Sequence, residues 1–250
     1  MKKLILILAG LLLLAGCGQK DLPAATAPAE EPSTTVETPA AASSEPAAKE
    51  RNLSVTMAAD YPVWLTGEEL NENTTYAVLG HYEKYLENYN GDRDISDASK
   101  ESELYYSENR KYEFAIDKVS KGTIEEPSIV VSKCYSIGEV LHDTTGKEIP
   151  VTLPYPYFTE PEYGSTRIIL LNYDPATETY FTVGEPWEFA VSDGQVQVIS
   201  RVFGSEDAVS ALQDVQQDDT LYHISVSYGN SHYEEPFSGM KVDEFLEFFR

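Results

Sequence analysis

Two alternating segments joined by an aspartate–glycine pair constrain the fold of this chain more than any other feature. Residues 188–192 and 195–199 each alternate apolar and polar side chains, which is the period of a half-buried strand. Asp193 and Gly194 stand between them, and this dipeptide favours a tight hairpin turn because both residues tolerate a positive φ. The pattern predicts antiparallel β structure.

Further β segments occur on both sides of this hairpin. Residues 112–119 alternate, whereas residues 167–171 form a continuous apolar run, which is typical of a strand buried on both faces. The other predicted strands are residues 53–57, 76–82, 128–131, 180–183 and 220–228. The sequence therefore predicts a mainly β (α+β) single domain with an antiparallel β-barrel or sandwich-like arrangement, and it leaves the strand order open.

Short helices are expected to accompany the sheet. A helical turn can begin at Thr66, and Ser205 can cap a short helix near residues 205–213. The last ten residues place four apolar side chains at i, i+3, i+4 and i+7, which gives a C-terminal amphipathic helix one apolar face for the sheet. These four are Val242, Phe245, Leu246 and Phe249.

Residues 1–16 have the three parts of an export signal peptide. Two lysines follow the first methionine, and the apolar run of residues 4–14 is shorter than the roughly 20 residues of a membrane-spanning helix. Ala15 and Gly16 are small, as a signal peptidase requires at its cleavage site. Cleavage after Gly16 would leave Cys17 as the new N-terminus.

The run Leu14-Ala15-Gly16-Cys17 resembles the lipobox of bacterial lipoproteins at each of its four positions. The resemblance implies that the Cys17 thiol carries a diacylglyceryl group and that a lipoprotein signal peptidase cuts between Gly16 and Cys17. An ordinary secretory signal with a chance cysteine is the alternative. We expect an extracytoplasmic protein anchored to the bacterial cell membrane, with each buried CH2 of its acyl chains contributing about 0.8 kcal/mol.

Residues 17–52 are predicted to be a disordered linker. Ala, Pro, Glu, Ser and Thr dominate this segment, which has too few large apolar residues to offset the entropy of ordering it. A coil of about 35 residues spans roughly 30–35 Å, so the linker can hold a domain away from the membrane. Residues 53–250 are the expected β-rich extracytoplasmic domain.

The charge of the chain excludes one class of partner. The net charge is −24 at pH 7, with 42 acidic against 18 basic residues. Nucleic acid and anionic lipid headgroups both require a positive protein surface, so we expect no nucleic-acid partner and no direct contact of the domain with such lipids. Cationic partners remain compatible, although an acidic surface also simply keeps an exported protein soluble.

One acidic segment has the spacing of a calcium loop. Asn90, Asp92, Asp94 and Glu101 occupy the first, third, fifth and twelfth places of such a loop. Ile95 stands at the sixth place, where the sharp turn requires glycine. Chance spacing in an acid-rich loop over residues 87–108 is therefore the preferred interpretation.

The remaining metal-ligating and nucleophilic residues are scattered. His223 and His232 flank a predicted strand, and Glu234 and Glu235 could complete a metal site if a hairpin joined the two histidines. Two unrelated surface histidines are the simpler interpretation. Cys134 has no disulfide partner once the other cysteine is lipidated, and we predict it to be a packing residue on a strand. We expect neither a metal nor a cofactor.

An aromatic, proline-rich loop at residues 153–163 is the predicted ligand contact. It carries Tyr155, Tyr157, Phe158 and Tyr163, and exposed rings of this kind can stack on sugars or extended peptides. A glycan or a peptide is thus the expected ligand. The same rings would equally suit the half-buried faces of strands.

The strand and turn patterns at residues 114–122, 163–171 and 180–196 carry a second resemblance. Together, over about residues 112–200, they are similar to a β-barrel-like module of uncharacterised lipoproteins of Gram-positive bacteria. The resemblance implies a fold and a location and brings no activity with it.

The preferred functional prediction is a non-catalytic binding or interaction module on a membrane-anchored lipoprotein. A cell-envelope hydrolase, whose catalytic carboxylates would come together only in the folded protein, is the alternative. A periplasmic-type solute receptor would require two lobes of alternating strands and helices, which the sequence does not show.

Overall fold

The computed structural model describes residues 49–57, 66–183, 187–199, 210–228 and 236–250. These residues form eleven strands and two short helices and belong to one compact unit. The elements are β1 (Lys49–Met57), α1 (Gly67–Asn73), β2 (Tyr76–Asn90), β3 (Ser107–Lys121), β4 (Ser128–His142), β5 (Glu148–Pro154), β6 (Thr166–Asp174), β7 (Thr179–Thr182), β8 (Glu188–Ser192), β9 (Gln195–Val198), β10 (Ser210–Gln217), β11 (Thr220–Tyr228) and α2 (Val242–Phe248). The predicted mainly β class with a short C-terminal helix is confirmed.

Five strands pair in a closed circuit, which we call the five-strand ring. β2 pairs antiparallel with β3, and β3 pairs antiparallel with β4. β4 then pairs in parallel with β7 over two residue pairs, and β7 leads back through β6 to β2 by antiparallel pairings. β8 and β9 extend the sheet from β6, and β5 pairs with the second half of β4. The other three strands form a separate sheet in the order β1-β11-β10.

The apolar run of β6 is buried on both faces, as its sequence predicts. Ile168 and Leu170 face a cluster that includes both helices, whereas Ile169 and Leu171 face the interior of the ring. Each fully buried side chain of this size contributes about 1.5–3 kcal/mol relative to an exposed one. The ring interior is filled by Val78, Tyr82, Tyr112, Phe114, Ile129, Val131, Ile169 and Leu171, with Tyr180 of β7 packed against them.

The hairpin predicted at Asp193-Gly194 is confirmed. Both residues have positive φ, 52° for Asp193 and 76° for Gly194, as a two-residue turn matched to the strand twist requires. The flanking residues Ser192 and Gln195 are directly paired, so β8 and β9 form the two arms.

Both helices form where local signals predict them. The Thr66 hydroxyl accepts a hydrogen bond from the backbone N–H of Glu69 (3.1 Å), and the Glu69 carboxylate accepts one from the Thr66 N–H (3.2 Å). This capping box starts α1. In α2, Phe245 is buried and its ring lies 4.6 Å, centroid to centroid, from that of Phe189 in β8. The C-terminal helix therefore packs its apolar face against the sheet.

The strands around the acidic loop are longer than predicted. Residues 87–90 continue β2 and residues 107–108 begin β3, so that the connection shrinks to residues 91–106. The Asn90 side chain fixes the base of this connection because its amide nitrogen donates to the carbonyls of Ser102 (3.1 Å) and Tyr105 (3.0 Å). Polar residues on the exposed part of β2 give this segment a composition that resembles that of a loop.

The short helix predicted near residues 205–213 differs from the structure. Residues 210–213 belong to β10, which pairs antiparallel with β11 along its whole length, and residues 205–209 lie outside the described residues. Cross-strand hydrogen bonding with β11 therefore prevails over the local helical pattern, because strand formation depends on neighbours that a local pattern does not contain.

The three-stranded sheet covers β5 and the second half of β4. The first described strand, β1, begins at Lys49 and pairs in parallel with β11 over nine residues. Asp143, in the turn between β4 and β5, joins the two sheets. Its carboxylate accepts hydrogen bonds from Arg51 Nη1 (2.5 Å) and from the Tyr222 hydroxyl (3.2 Å).

Acid should destabilise the protein through Asp143. Hydrogen bonds from the Thr145 hydroxyl, and then from the backbone N–H groups of Lys147 and Thr145 and the Tyr222 hydroxyl, hold the pKa of Asp143 well below its usual range. A carboxyl whose pKa is lowered by folding stabilises the protein above its unfolded pKa of about 3.9, and this stabilisation is lost as pH falls further. Urea unfolding between pH 7 and pH 2 should show the loss below about pH 4.

The variant Asp143→Asn should be less stable than the wild type at pH 7, and its stability should change less as pH falls below 4. Tyr222→Phe removes one donor and keeps the ring, so it should have a smaller effect in the same direction. An Asp143→Asn protein with the acid dependence of the wild type would contradict this assignment.

Candidate ligand-binding cleft

The structure places the predicted aromatic loop after β5, at residues 155–165. Tyr155 is buried and packs edge-to-face against Tyr157, with ring centroids 5.7 Å apart. Phe158 packs in the same way against Tyr135 of β4 (5.0 Å). Tyr163 is 49% exposed and is the most accessible of the four predicted contact residues. The four rings are therefore not one continuous exposed surface, and their binding role stays a prediction.

A cluster of buried charges holds this loop against the ring. Lys133 Nζ donates to the Thr159 carbonyl (2.9 Å) and to the Glu188 carboxylate (2.7 Å). Glu188 also lies 3.8 Å from Arg167 Nε and accepts a 3.4 Å hydrogen bond from the Tyr82 hydroxyl. The side chains of Lys133, Glu188 and Arg167 are 8%, 7% and 10% exposed. One buried carboxylate thus joins β4, β6 and β8.

Removing this carboxylate should cost much of the stability of the domain. Glu188→Gln leaves Lys133 buried without its counter-charge, whereas Arg167 keeps its pair with the exposed Glu162 (3.1 Å). Breaking a buried ion pair costs about 3–5 kcal/mol. Urea unfolding at pH 7 measures the change. The control is Glu160→Gln, which breaks the more exposed pair with Arg110 (3.3 Å) and should cost no more than about 1 kcal/mol. Equal losses in the two variants would contradict the assigned role of Glu188.

A cleft lies on the outer face of the ring, away from the predicted loop. Tyr89 is paired with Asn109, and Asn109 is paired with Cys134. Directly paired residues point to the same face of a sheet, so these three side chains form one row across β2, β3 and β4. In the parallel pairing, Ser132 lies opposite Phe181 and extends the surface to β7.

The cleft has a volume of about 440 Å³. Its walls come from the strands of the ring, from Gly91 at the start of the acidic loop, and from the turn between β6 and β7. The lining residues are Tyr89, Gly91, Asn109, Ser132, Cys134, Tyr173, Asp174, Pro175, Thr177, Thr179, Phe181 and Thr182. Apart from Asp174, these side chains are uncharged.

Hydrogen bonds organise the polar part of the cleft. The hydroxyls of Tyr89 and Ser132 are 2.7 Å apart, and those of Thr177 and Thr179 are 2.8 Å apart. The Asp174 carboxylate accepts from the Thr177 hydroxyl (2.7 Å) and from the backbone N–H of residue 176 (2.9 Å), which fixes the turn. These pairs hold hydroxyl groups in place at the surface of the cleft.

A second, more polar depression of about 470 Å³ adjoins the cleft and shares Tyr89 and Thr177 with it. There the Arg93 guanidinium lies 5.5 Å from the centroid of the Tyr89 ring, and Lys111 Nζ lies 4.8 Å from the same centroid. Lys111 is also bound to the Glu87 carboxylate (2.9 Å). Two cations thus flank the Tyr89 ring and restrict its movement.

The residues with calcium-loop spacing are engaged in the hydrogen bonds of their own loop. Asn90 Oδ1 accepts from the N–H of Asp92 and of Ser107, each at 3.1 Å. Asp94 Oδ1 accepts from the N–H of Ser96 (2.8 Å). Over the described ranges, no group of three His, Cys, Asp or Glu side chains is arranged to hold a metal ion.

The other predicted candidates are placed apart from one another. His223 is paired with Asp214 (2.8 Å) on the surface of the three-stranded sheet, whereas His232, Glu234 and Glu235 lie outside the described residues. Cys134 is on a strand, as predicted, and its half-buried side chain lines the cleft.

Comparison of the chain with protein-family models, with curated proteins and with solved structures finds no match. Within the part of the chain that the structure describes, neither helix has the length and apolar character needed to cross a membrane.

Proposed function

We propose that this chain is a lipid-anchored extracytoplasmic protein whose β domain is a non-catalytic binding module, with its ligand in the cleft. The observation that carries the proposal is the cleft itself. It combines the exposed ring of Phe181 and the half-buried ring of Tyr89 with fixed hydroxyl and amide groups. A concave surface with apolar area and a few positioned polar groups is the usual form of a small-ligand site.

The order of the ring strands supports this location. Counting β2, β3, β4, β6 and β7 as strands one to five, the circuit runs 1-2-3-5-4 and back to 1, with the third and fifth strands parallel. This is the arrangement of OB-type Greek-key barrels, which bind ligands on strands two and three between the loops after strands one and four. Here these loops are residues 91–106 and 175–178, and the cleft lies beside both. The similarity to these barrels is one of architecture alone.

The N-terminal sequence supports the anchor. The lipobox-like run ending at Cys17 would carry the acyl chains, and the linker that precedes β1 would separate the domain from the bilayer. A binding domain on such a tether samples the space next to the membrane surface.

Lipidation should require Cys17 and no other cysteine. In cells supplied with a labelled fatty-acid analogue, the wild type and Cys134→Ala should both carry label and sediment with membranes. Cys17→Ala should lack the label because the thioether cannot form, and it should keep its signal peptide. Mass spectrometry of the N-terminus checks both outcomes. A labelled Cys17→Ala protein would refute the anchor.

Ligand binding should depend on Phe181. A thermal-shift screen of the detergent-solubilised full chain against oligosaccharides, peptides, amino acids and nucleosides should identify a class that raises the melting temperature. At a concentration of 100 times Kd, a ligand adds about 2.7 kcal/mol, which is on the order of 5–10 °C for a domain of this size. The shift should persist in Tyr163→Ala and disappear in Phe181→Ala.

Two other results of this screen would contradict the proposal, one in the location of the site and one in its existence. A ligand whose shift is lost in Tyr163→Ala and kept in Phe181→Ala would move the site to the aromatic loop. A screen in which no class shifts the wild type would overturn the proposal of a small-ligand binding module.

A further inference from the structure

We infer that the ligand of the cleft is a neutral linear oligosaccharide, recognised through side chains. This inference rests on the proposed function and names the ligand class of the same site. Three properties of the cleft carry it, namely the pairing of the strands beneath it, the charge of its lining and the placement of its rings.

At the centre of the cleft, β3 and β4 have no open edge. Ser132 of β4 is paired with Lys111 of β3 on one side and with Phe181 of β7 on the other. Asn109 of β3 is likewise paired on both sides, with Tyr89 and Cys134. An extended peptide that adds to a sheet needs unpaired backbone N–H and C=O groups. β3 and β4 do not offer them at these residues, which disfavours the addition of a peptide strand at the centre of the cleft.

The lining is depleted in charge compared with the rest of the molecule. Asp174 is its one charged residue, and the carboxylate is already engaged by the Thr177 hydroxyl and the turn backbone. The residues that line the cleft include no cation, so nothing there would compensate a phosphate or carboxylate ligand for the loss of its hydration water. A sugar hydroxyl both donates and accepts hydrogen bonds, and so do the hydroxyl groups that line the cleft.

One hydroxyl pair can adapt to a vicinal diol. The hydroxyls of Tyr89 and Ser132 form a pair in which either oxygen can be the donor, whereas the Thr177 hydroxyl donates to Asp174 and therefore accepts from Thr179. The Tyr89–Ser132 pair can reorient its hydrogens to match neighbouring hydroxyls of a sugar. The Asn109 amide adds a planar group fixed by hydrogen bonds to the carbonyl and the hydroxyl of Ser107, each at 3.2 Å.

Two rings on the outer face give the cleft apolar surface. Phe181 is 40% exposed and Tyr89 is half-buried, whereas Tyr173 is paired with Tyr180 and packs against its ring (5.0 Å between centroids) on the opposite face. Rigid rings provide contact area at low cost in conformational entropy, and their faces suit the C–H faces of a pyranose. The combination of rings with hydroxyl and amide groups fits a sugar better than an amino acid or a purely apolar ligand.

The extent of the surface favours a chain of sugars over a single one. The cleft of about 440 Å³ continues past Tyr89 and Thr177 into the adjoining depression of about 470 Å³. In that depression the Lys111 ammonium is bound to Glu87, and the Arg93 guanidinium lies against the Tyr89 ring. The extension adds length together with one cation, and the uronic-acid probes of the experiment below test whether that cation attracts an anionic sugar.

Isothermal titration calorimetry with the detergent-solubilised full chain tests the inference. The probes are neutral linear gluco-, manno- and N-acetylglucosamine oligosaccharides of two to six units, uronic-acid oligosaccharides of the same lengths, and unrelated hexapeptides. At least one neutral series should bind, with affinity that rises with length and then levels off. Raising the salt from about 50 to 500 mM should change its Kd less than twofold, because no ion pair is formed.

Variants connect this binding to the cleft. Phe181→Ala and Asn109→Ala should each weaken binding about tenfold or more, whereas Phe181→Tyr should restore most of the affinity and Tyr163→Ala should stay within twofold of the wild type. Melting temperatures of the unliganded variants separate lost binding from lost folding. If Phe181→Ala does not fold, the affinities of Asn109→Ala and Phe181→Tyr decide whether the oligosaccharide binds in the cleft.

The outcomes distinguish this inference from the proposed function. Peptides or uronic acids that bind in a Phe181-dependent way, with no neutral sugar bound, would overturn the oligosaccharide inference and leave the binding module standing. Sugars that bind equally to the wild type, Phe181→Ala and Asn109→Ala would remove the site from the cleft and overturn both. Failure of every neutral series to bind would also overturn the inference.

Discussion

The structure depends on a very short contact, the parallel pairing of β4 with β7. Two residue pairs, Val131 with Tyr180 and Ser132 with Phe181, turn a row of antiparallel strands into a closed ring. On the inner face the pairing brings Tyr180 to the core, and on the outer face it places Phe181 beside Ser132. The same two pairs therefore complete the hydrophobic interior and create one wall of the cleft.

β6 makes this closure stable because it supports two cores at once. Its side chains alternate between the ring interior and the cluster formed with the helices, so neither core can be rearranged without the other. The buried Glu188 adds a polar constraint at the same strand, since it contacts Arg167 of β6 and Lys133 of β4. The aromatic loop is held in place by this cluster through Thr159.

Features with a local cause were predictable from the sequence. The Asp193-Gly194 hairpin, the doubly buried run of β6 and the C-terminal helix all follow from short-range periodicity and turn chemistry. The parallel pairs β4–β7 and β1–β11 join residues that are far apart in sequence, and no local pattern encodes their register. Residues 210–213 differ from the predicted helix for the same reason, because pairing with β11 makes them part of β10.

The sequence does not predict the candidate site because its residues come from five strands and share no motif. Tyr89 lies in a segment whose polar composition predicts a loop, and its cross-strand partner Asn109 is distant from it in the sequence. Phe181 is the available signal, but a large ring on a strand usually belongs to a core. By contrast, the crowded rings of residues 155–163 attracted attention and are mostly packed.

The position of β1 has a mechanical consequence. β1 is the first described strand after the proposed tether, and it lies parallel to β11 with nine consecutive pairs. The ion pairs of Lys49 with Asp219 and of Arg51 with Asp143 reinforce the end that the tether would pull. Force directed along such a strand loads all its hydrogen bonds together, whereas force across it would open them one at a time. A domain tethered through β1, as proposed, would resist a pull directed along this strand.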